Sequence, residues 1–151
     1  MSSLHQRLVD AITAKLATVT TANGYFTDVG SAVLVHFPVE QQQNILPSVS
    51  FADTTSTWDF LNGMTYARRL TCEIVGVVAA GTATGVRARE VEADLVAALW
   101  NDGDRTWGGL CEYSEITESE LLVAQREQAI GGARCSLEIT FHHLVRNANL
   151  S

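Results

Sequence analysis

The chain has 151 residues, of which 46% are apolar and 18% are charged, and this composition excludes a disordered protein. Its length suits one domain with one core, so we treat residues 1–151 as a single domain. The net charge of -7 argues against binding to DNA phosphates or to an anionic membrane, because like charges repel.

Neither a signal peptide nor a membrane span is expected. The first residues, "MSSLHQRLVD", acquire charge at once, and the longest uncharged stretch, Ile74 to Val86, is short and contains three glycines. Three widely spaced cysteines, Cys72, Cys111 and Cys135, form no CxxC pair. We interpret them as reduced thiols of a cytosolic protein.

A first helix is predicted from Leu4 to Thr20. Ser3 and Gln6 fit a capping box, in which the serine hydroxyl accepts from the third amide and the glutamine returns a bond. Gly24 is a suitable left-handed stop. Apolar residues then recur at helical spacing on one face: Leu4, Leu8, Ile12, Leu16 and Val19.

Strands are predicted next. "AVLVHF" indicates a short strand, "EQQQNILP" a polar loop, and "SVSFAD" a half-buried strand with Val49 and Phe51 inward and Ser48 and Ser50 outward. Strands at Ser56–Leu61 and Thr65–Val78 are joined by an Asn62-Gly63 turn. In the second of these, Leu70, Cys72 and Ile74 face the core. The stretch after Ile74 is apolar on both faces, so both should be covered.

A second helix is predicted within "GTATGVRAREVEADLVAALWNDG", closed by Asp102-Gly103. Its apolar stripe consists of Ala88, Val91, Leu95, Ala98 and Leu99, and its charged residues Arg87, Glu90, Glu92 and Asp94 lie largely off that stripe. Strands follow at Cys111–Ile116 and Glu120–Gln125, then a turn or linker at "REQAIGG", and then a final strand at Ala133–Val145. This order predicts an α+β fold, with two amphipathic helices packed on one face of a mostly antiparallel sheet.

The adjacent histidines at the end of "GGARCSLEITFHH" raise the question of a metal site. In a strand, neighbours point to opposite faces, so His142 and His143 cannot ligate one ion. Cys135 and His143 share a face, but eight residues at ~3.3 Å each place them roughly 26 Å apart. We therefore expect no metal here and no cofactor elsewhere, because zinc needs ligands within about 2.3 Å.

No pattern for catalysis is present. "GTATG" lacks the lysine of a P-loop, and "NDGD" fits a helix stop better than a calcium loop. The acidic group Glu112, Glu115, Glu118 and Glu120 is more typical of an exposed strand face than of an acid–base pair. Of the three tryptophans, which could line a ligand pocket, Trp100 is predicted to lie in the core, while Trp58 suits an interaction surface or simple packing equally.

The order of these features resembles the bacteriophage tail terminator family, also described as tail completion or minor tail protein U-like proteins. The segments that carry the resemblance are "LHQRLVDAITAKL", "LPSVSFAD", "TWDFLNGMTYARRLTCEIVGVVAA", "VRAREVEADLVAAL" and "GARCSLEITFHH", which together span nearly the whole chain. The extended tail of the family is short here, "RNANLS".

The resemblance implies a structural protein with no enzymatic activity. It would form a ring, usually hexameric, on the head-proximal end of the tail tube, stop tube polymerisation and offer a surface to head or neck proteins. It would act in the host cytoplasm during assembly and in the virion tail. DNA would pass through the acidic ring without specific binding. Candidate subunit-interface residues are Trp58, Phe60, Arg68, Arg69 and Glu138.

Two alternatives remain. One is a neck or head-completion protein of the same structural class. The other is a small acidic hydrolase that uses Glu112, Glu115 and a histidine, which predicts a deep pocket that gathers those groups.

Overall fold

The computed structural model describes residues 3–62, 65–125 and 129–144, and in these ranges the chain forms one five-stranded sheet. In chain order the elements are helix α1 (Leu4–Leu16), strand β1 (Val33–Val35), the one-turn helix α2 (Val39–Gln42), strands β2 (Ser48–Asn62) and β3 (Thr65–Ala79), helix α3 (Thr84–Trp100), and strands β4 (Tyr113–Gln125) and β5 (Ala129–Leu144). None of the described helices is long and apolar enough to cross a membrane.

The sheet has the strand order β1-β2-β3-β5-β4. Strand β1 runs parallel to β2, and every other pair is antiparallel. The prediction of an α+β fold with a mostly antiparallel sheet is therefore confirmed, and the short β1 makes the sheet mixed.

Helix α1 begins as predicted but ends earlier. The Gln6 amide donates to Ser3 Oγ at 3.0 Å, whereas the Gln6 side chain bonds Asp10 and not the cap, so only half of the capping box forms. The predicted end at Thr20 is wrong, because the helix stops at Leu16. A β-branched run, "TVTT", follows and disfavours helix. Gly24, at φ 90°, ends a separate 3-10 turn.

Both long helices cover the same face of the sheet. The alternation predicted for β3 is confirmed, because Leu70, Cys72 and Ile74 are buried in the core. Alternate residues of β5 are buried beside them: Ala133, Cys135, Leu137, Ile139 and Phe141. The apolar stripes of α1 and α3 join these strand residues in one hydrophobic cluster.

Among the described residues, the apolar cover of the opposite face lies near the start of β2 and the end of β3. Val75, Val77 and Ile130 form a second apolar cluster there, and the Gln42 side chain of α2 donates to the Val75 carbonyl at 2.8 Å. The predicted two-sided cover after Ile74 is thus confirmed. The loop expected at "EQQQNILP" contains part of α2. Because α2 and the residues after it lie over this end, Ser48 and Ser50 are buried, and their predicted outward position is wrong.

The strands differ from the prediction in three places. The strands expected at "SVSFAD" and Ser56–Leu61 form one strand, β2, with a register shift between Asp53 and Thr55. The two expected between residues 111 and 125 form one strand, β4, with a shift between Ile116 and Glu118. Strand β5 begins at Ala129, within the expected turn or linker. The turn at Gly63 and the end of the last strand at Val145 lie outside the described residues.

Asp94 is the main departure on α3. It was predicted to lie off the apolar stripe, yet it is 2% exposed. Its carboxylate accepts from the amides of Phe26 and Thr27 at 3.0 and 2.8 Å, and from the Thr27 hydroxyl at 2.5 Å. A buried carboxylate is tolerated where several donors satisfy it, and here it fastens the segment after α1 to α3.

Candidate interaction surfaces

An aromatic surface covers the end of the β2–β3 hairpin. Trp58 and Phe60 are 48% and 58% exposed, and both rings contact Tyr66 edge to face, at 6.1 and 4.9 Å between centroids. Leu61 beside them is 53% exposed. We call Trp58, Phe60, Leu61 and Tyr66 the aromatic arm. Its rings are held by one another, so their position costs little entropy on binding.

The register shift in β2 decides which face the arm presents. Before it, Phe51 faces the core opposite Ile74, and after it Trp58 pairs with Arg68 and Phe60 with Tyr66. Because a bulge adds one residue to the strand, even-numbered residues replace odd-numbered ones on the helix side. Trp58 and Phe60 therefore lie on the helix-covered face.

Arg68 packs against the ring of Trp58 in the aromatic arm. It is only 8% exposed, and its guanidinium lies 5.0 Å from the centroid of Trp58. It donates to Ser56 Oγ and, at 3.2 Å, to His5 Nδ1. Burial lowers the pKa of Arg68, and the charge of Asp53 opposes that shift. Of the candidate interface residues, Arg68 is thus packed under Trp58 and not displayed.

Arg69 lies on the other face of the sheet. Its side chain is 55% exposed, and one guanidinium nitrogen is 3.8 Å from Asp59. An exposed pair of this kind contributes about 0–1 kcal/mol. Arg69 is therefore available to a partner at little cost.

Two histidines meet Asp53 at the base of the arm. His5 Nε2 lies 2.7 Å from Asp53 Oδ2, and His36 Nε2 lies 2.5 Å from Asp53 Oδ1. Because arginine can only donate, His5 Nδ1 accepts in its contact with Arg68. The contacts link the start of α1 and the residue after β1 to the bulge in β2. Widely separated residues carry this cluster, and no local sequence pattern indicates it.

A second surface lies between α3 and β4. A groove of about 350 Å³ is lined by Val96, Leu99, Trp100, Arg105, Ser114, Glu115 and Ile116, which we call the α3–β4 groove. Trp100 is 50% exposed, so the prediction that it lies in the core is wrong. The tryptophan that is buried is Trp107, whose indole nitrogen donates to Ser114 Oγ at 3.0 Å.

Arg105 forms one wall of this groove. Its guanidinium lies 4.0 Å from the centroid of Trp100 and donates to Tyr113 Oη at 2.7 Å. The stacking and the hydrogen bond fix both the arginine and the exposed tryptophan. Tryptophan, tyrosine and arginine are the side chains most enriched at binding hot spots.

Strand β4 continues this surface along the margin of the sheet. Leu121 and Val123 are 39% and 54% exposed, and β4 is the last strand on this side. On its other face Glu115 stands opposite Glu138 of β5. The candidate residue Glu138 is half-buried there and is flanked by Thr71 of β3.

The candidate residues for a metal or an acid–base site, neither of which the sequence favours, do not converge on one site in the described part of the chain. Cys135 is fully buried on the helix side, whereas the His142 side chain is 46% exposed and lies 3.9 Å from Glu112. The side chain of His143 lies outside the described part. Burial raises the pKa of Cys135 to about 11. Within residues 3–62, 65–125 and 129–144, no group of three His, Cys, Asp or Glu residues is placed to hold a metal ion.

No protein-family model and no curated protein matches this sequence.

Proposed function

We propose that the protein is a structural component of a bacteriophage tail, a terminator that assembles as a ring on the head-proximal end of the tail tube. The observation that carries this proposal is the aromatic arm, whose exposed rings rest on the buried Arg68. Exposed apolar groups clustered on a rigid element are typical of association surfaces.

The distribution of the other exposed apolar residues supports association. In the described part of the chain, nine of the eleven exposed large apolar residues belong to the arm or lie on α3 and β4. A ring needs two different surfaces on each subunit, because its contacts are head to tail. The net charge of -7 is compatible with a channel through which DNA passes without binding.

In this proposal the partners are further copies of the chain, most simply six, the tail tube protein, and the head or neck completion proteins. The protein would act in the host cytoplasm during assembly and remain in the virion tail. A neck or head-completion protein is the alternative within the same structural class, and it would bind heads but not tubes.

The hydrolase alternative receives less support from the geometry. Glu112 and His142 meet where their side chains are 59% and 46% exposed, and Glu115 stands opposite Glu138. This alternative predicts a deep pocket that gathers the catalytic groups, whereas the Glu112 and His142 side chains both lie at the open surface.

The test is native mass spectrometry on a concentration series, alone and with purified tail tubes, followed by electron microscopy of the tubes. We expect the wild type to form closed oligomers or to cap tube ends. A Trp58→Ser/Phe60→Ser variant should lose this assembly. Phe26→Ser removes an aromatic side chain that is 62% exposed outside both surfaces, and it should assemble like the wild type.

If the protein stays monomeric at every concentration and does not bind tail tubes, the terminator proposal is refuted. Binding to heads but not to tubes would favour the neck protein.

A further inference from the structure

We propose that two copies of the chain pair about a two-fold axis, with the outer side of helix α3 packed antiparallel against the same side of α3 in the second copy. This inference goes beyond the ring proposed above and does not depend on it, because it does not use the aromatic arm. The observations behind it are an exposed apolar face of α3, one arginine within that face, and a concavity on the same face.

Helix α3 is apolar on its solvent side as well as on its core side. The residues that it buries lie on one side of the helix. At about 100° per residue, a second row of residues lies on the opposite side. All its members are exposed, and we call them the outer stripe: Val86, Arg89, Ala93, Val96, Ala97 and Trp100. A surface helix normally carries polar residues on this side, so five apolar residues out of six indicate a partner.

A concavity of about 550 Å³ lies along the C-terminal half of the outer stripe. It is lined by four residues of the stripe and by two carboxylates: Ala93, Val96, Ala97 and Trp100, with Glu92 and Asp102. Arg105, which stacks on Trp100, lines the separate α3–β4 groove. The concavity therefore combines apolar walls and one indole with acidic side chains.

The charge of this concavity is negative. Asp102 shares its charge with Lys15 at 3.2 Å and adds little, whereas Glu92 accepts from the neutral hydroxyl of Ser119 at 2.9 Å and keeps its charge. The C-terminal end of a helix is its negative pole, and the last turn of α3, all of it described, carries no basic residue. A cation on an apolar stem suits such a concavity, because its stem packs on the apolar walls and its head meets the carboxylates and the indole.

The chain carries such a cation within the same stripe. Arg89 is exposed, and Ala93 is the midpoint of the stripe, seven residues after Val86 and seven before Trp100. Turning a second α3 antiparallel about Ala93 sets Val86 of one copy against Trp100 of the other. It also sets Arg89 against Ala97, inside the concavity of the second copy. The stripe is thus complementary to itself, and the contact is made twice in one dimer.

Charge also selects the antiparallel orientation. A parallel pair would bring the two Arg89 side chains together, along with helix poles of the same sign. The antiparallel pair separates the two arginines by eight residues, about 12 Å along the helix, and places each near the negative pole of the other copy. Because both copies use the same surface, the pairing stops at a dimer.

The first test exchanges charges within the Trp58→Ser/Phe60→Ser variant, so that the proposed ring contact cannot contribute. Sedimentation of a concentration series should show a dimer. Arg89→Glu and Glu92→Arg, each added to this variant, should raise the dissociation constant of the dimer at least about tenfold, because each places like charges at both contacts. An equal mixture of the two should dimerise as tightly as the parent, since each reversed side chain then meets the opposite charge.

The recovery of dimers in the mixture also shows that both reversed proteins are folded. The matched control is Arg87→Glu, which makes the same charge change on the same helix. Arg87 pairs with Glu90 at 3.4 Å and lies outside the outer stripe. Its reversal should leave the dissociation constant unchanged.

The second test is a disulfide trap at the two-fold axis. Packed helices lie about 8–10 Å apart, so two residues on the axis come within reach of a disulfide. Ala93→Cys, treated with oxidised glutathione, should form a disulfide between two chains while the glutathione is reduced. The native cysteines do not interfere, because they are at most 8% exposed. The matched control is Ala97→Cys, which is exposed on the same stripe but about 12 Å from its copy along the helix, and it should give at least about tenfold less.

The outcomes separate this pairing from the proposed function. If the Trp58→Ser/Phe60→Ser variant is monomeric at every concentration, if the mixture of reversed proteins does not recover, or if Ala97→Cys crosslinks as well as Ala93→Cys, the pairing is wrong and another protein covers the stripe. If the dimer behaves as expected but the wild type never caps tail tubes, the proposed function fails and the pairing remains.

Discussion

At the scale of single residues, Arg68 and Arg69 show how strand geometry separates neighbours. The two are adjacent in the chain, yet Arg68 is 8% exposed beneath Trp58 and the Arg69 side chain is 55% exposed on the other face. Successive strand residues point in opposite directions, so a pair of arginines is not one basic patch. Arg68 acts on the arm by packing, and Arg69 is the one a partner can reach.

Phe141 and Glu138 provide the sharpest test of the alternation in β5. Phe141 is 2% exposed, so Phe141→Ala should lower the free energy of unfolding by about 3–5 kcal/mol in urea titrations. Glu138 stands opposite Glu115, and like charges directly opposite are destabilising, so Glu138→Lys should leave stability unchanged or raise it by about 0.2–1 kcal/mol. Equal losses for both variants would contradict the assignment of faces.

Asp94 should be the most sensitive charged residue on α3. Asp94→Ala leaves the amides of Phe26 and Thr27 without their acceptor, so the free energy of unfolding should fall by about 3 kcal/mol. Glu92→Ala is the matched control on the same helix. Within the described residues, Glu92 accepts from the exposed Ser119, and its loss should cost under about 1 kcal/mol. Equal costs would mean that the buried carboxylate does not fasten this segment.

At the scale of elements, two glycines allow α3 to approach the sheet. A Cβ built on Gly76 would lie 2.8 Å from Val91 Cγ1. One on Gly131 would lie 2.9 Å from the Thr84 carbonyl oxygen and 3.0 Å from the Ala88 nitrogen, both backbone atoms. A backbone neighbour cannot turn aside as a side chain can, so Gly131 is the stricter requirement.

Replacing glycine by alanine should therefore have opposite effects on the free energy of unfolding at Gly131 and at Gly85. Gly131→Ala should lower the free energy of unfolding by about 1–3 kcal/mol, since the helix must move away. Gly85→Ala, in the first turn of α3, meets only the Arg89 guanidinium at 3.5 Å and should raise it by about 0.5–1 kcal/mol. Thermal melts of the two variants measure this, and a neutral Gly131→Ala would mean that α3 does not pack closely on β5.

Irregular positions in the strands matter as much as their regular parts. The shift between Asp53 and Thr55 moves Trp58 and Phe60 to the helix side. The shift between Ile116 and Glu118 likewise exchanges the faces of β4, so that Ile116 packs inward before it and Leu121 lies on that side after it. Each bulge keeps a long strand paired with its neighbour, and it turns the side chains that follow it to the other face of the sheet.

At the scale of the whole molecule, the three buried thiols connect stability to pH. Burial raises the pKa of Cys72 to about 12, and those of Cys111 and Cys135 to about 11. The unfolded chain releases these protons near the ordinary thiol pKa of 9.0, so above that pH it binds fewer protons than the folded state. The stabilisation is complete below that pH and is lost as the pH rises through the folded values.

We therefore expect the free energy of unfolding to fall between about pH 9 and pH 11, by roughly 1.4 kcal/mol per pH unit for each thiol that ionises only on unfolding. Urea titrations at several pH values measure the slope. In Cys72→Ala the slope of the free energy of unfolding against pH should be smaller by the contribution of one thiol. The cavity left by the substitution changes the free energy itself and not this slope. An unchanged slope in that variant would show that Cys72 does not titrate differently on folding.

Much of the architecture follows from sequence periodicity. The apolar spacing in "LHQRLVDAITAKL" and the alternation in "CSLEITF" predict a helix and a strand directly, because burying one face requires those periods. The order of such segments was enough for the α+β class and for both helices on one face. The same reasoning places Cys135 and His142 on opposite faces of β5, as observed.

Only the tertiary structure decided where the exposed surfaces lie. A bulge leaves no periodic signal in the sequence, so the face of the sheet on which Trp58 and Phe60 lie could not be predicted. Trp100 continues the apolar stripe of its helix, and that stripe does not show how much of the helix β4 and β5 cover. The burial of Asp94, and the meeting of His5, His36 and Asp53, depend on residues far apart in the chain. Local patterns determine which elements form, whereas long-range packing determines which of their side chains remain available to a partner.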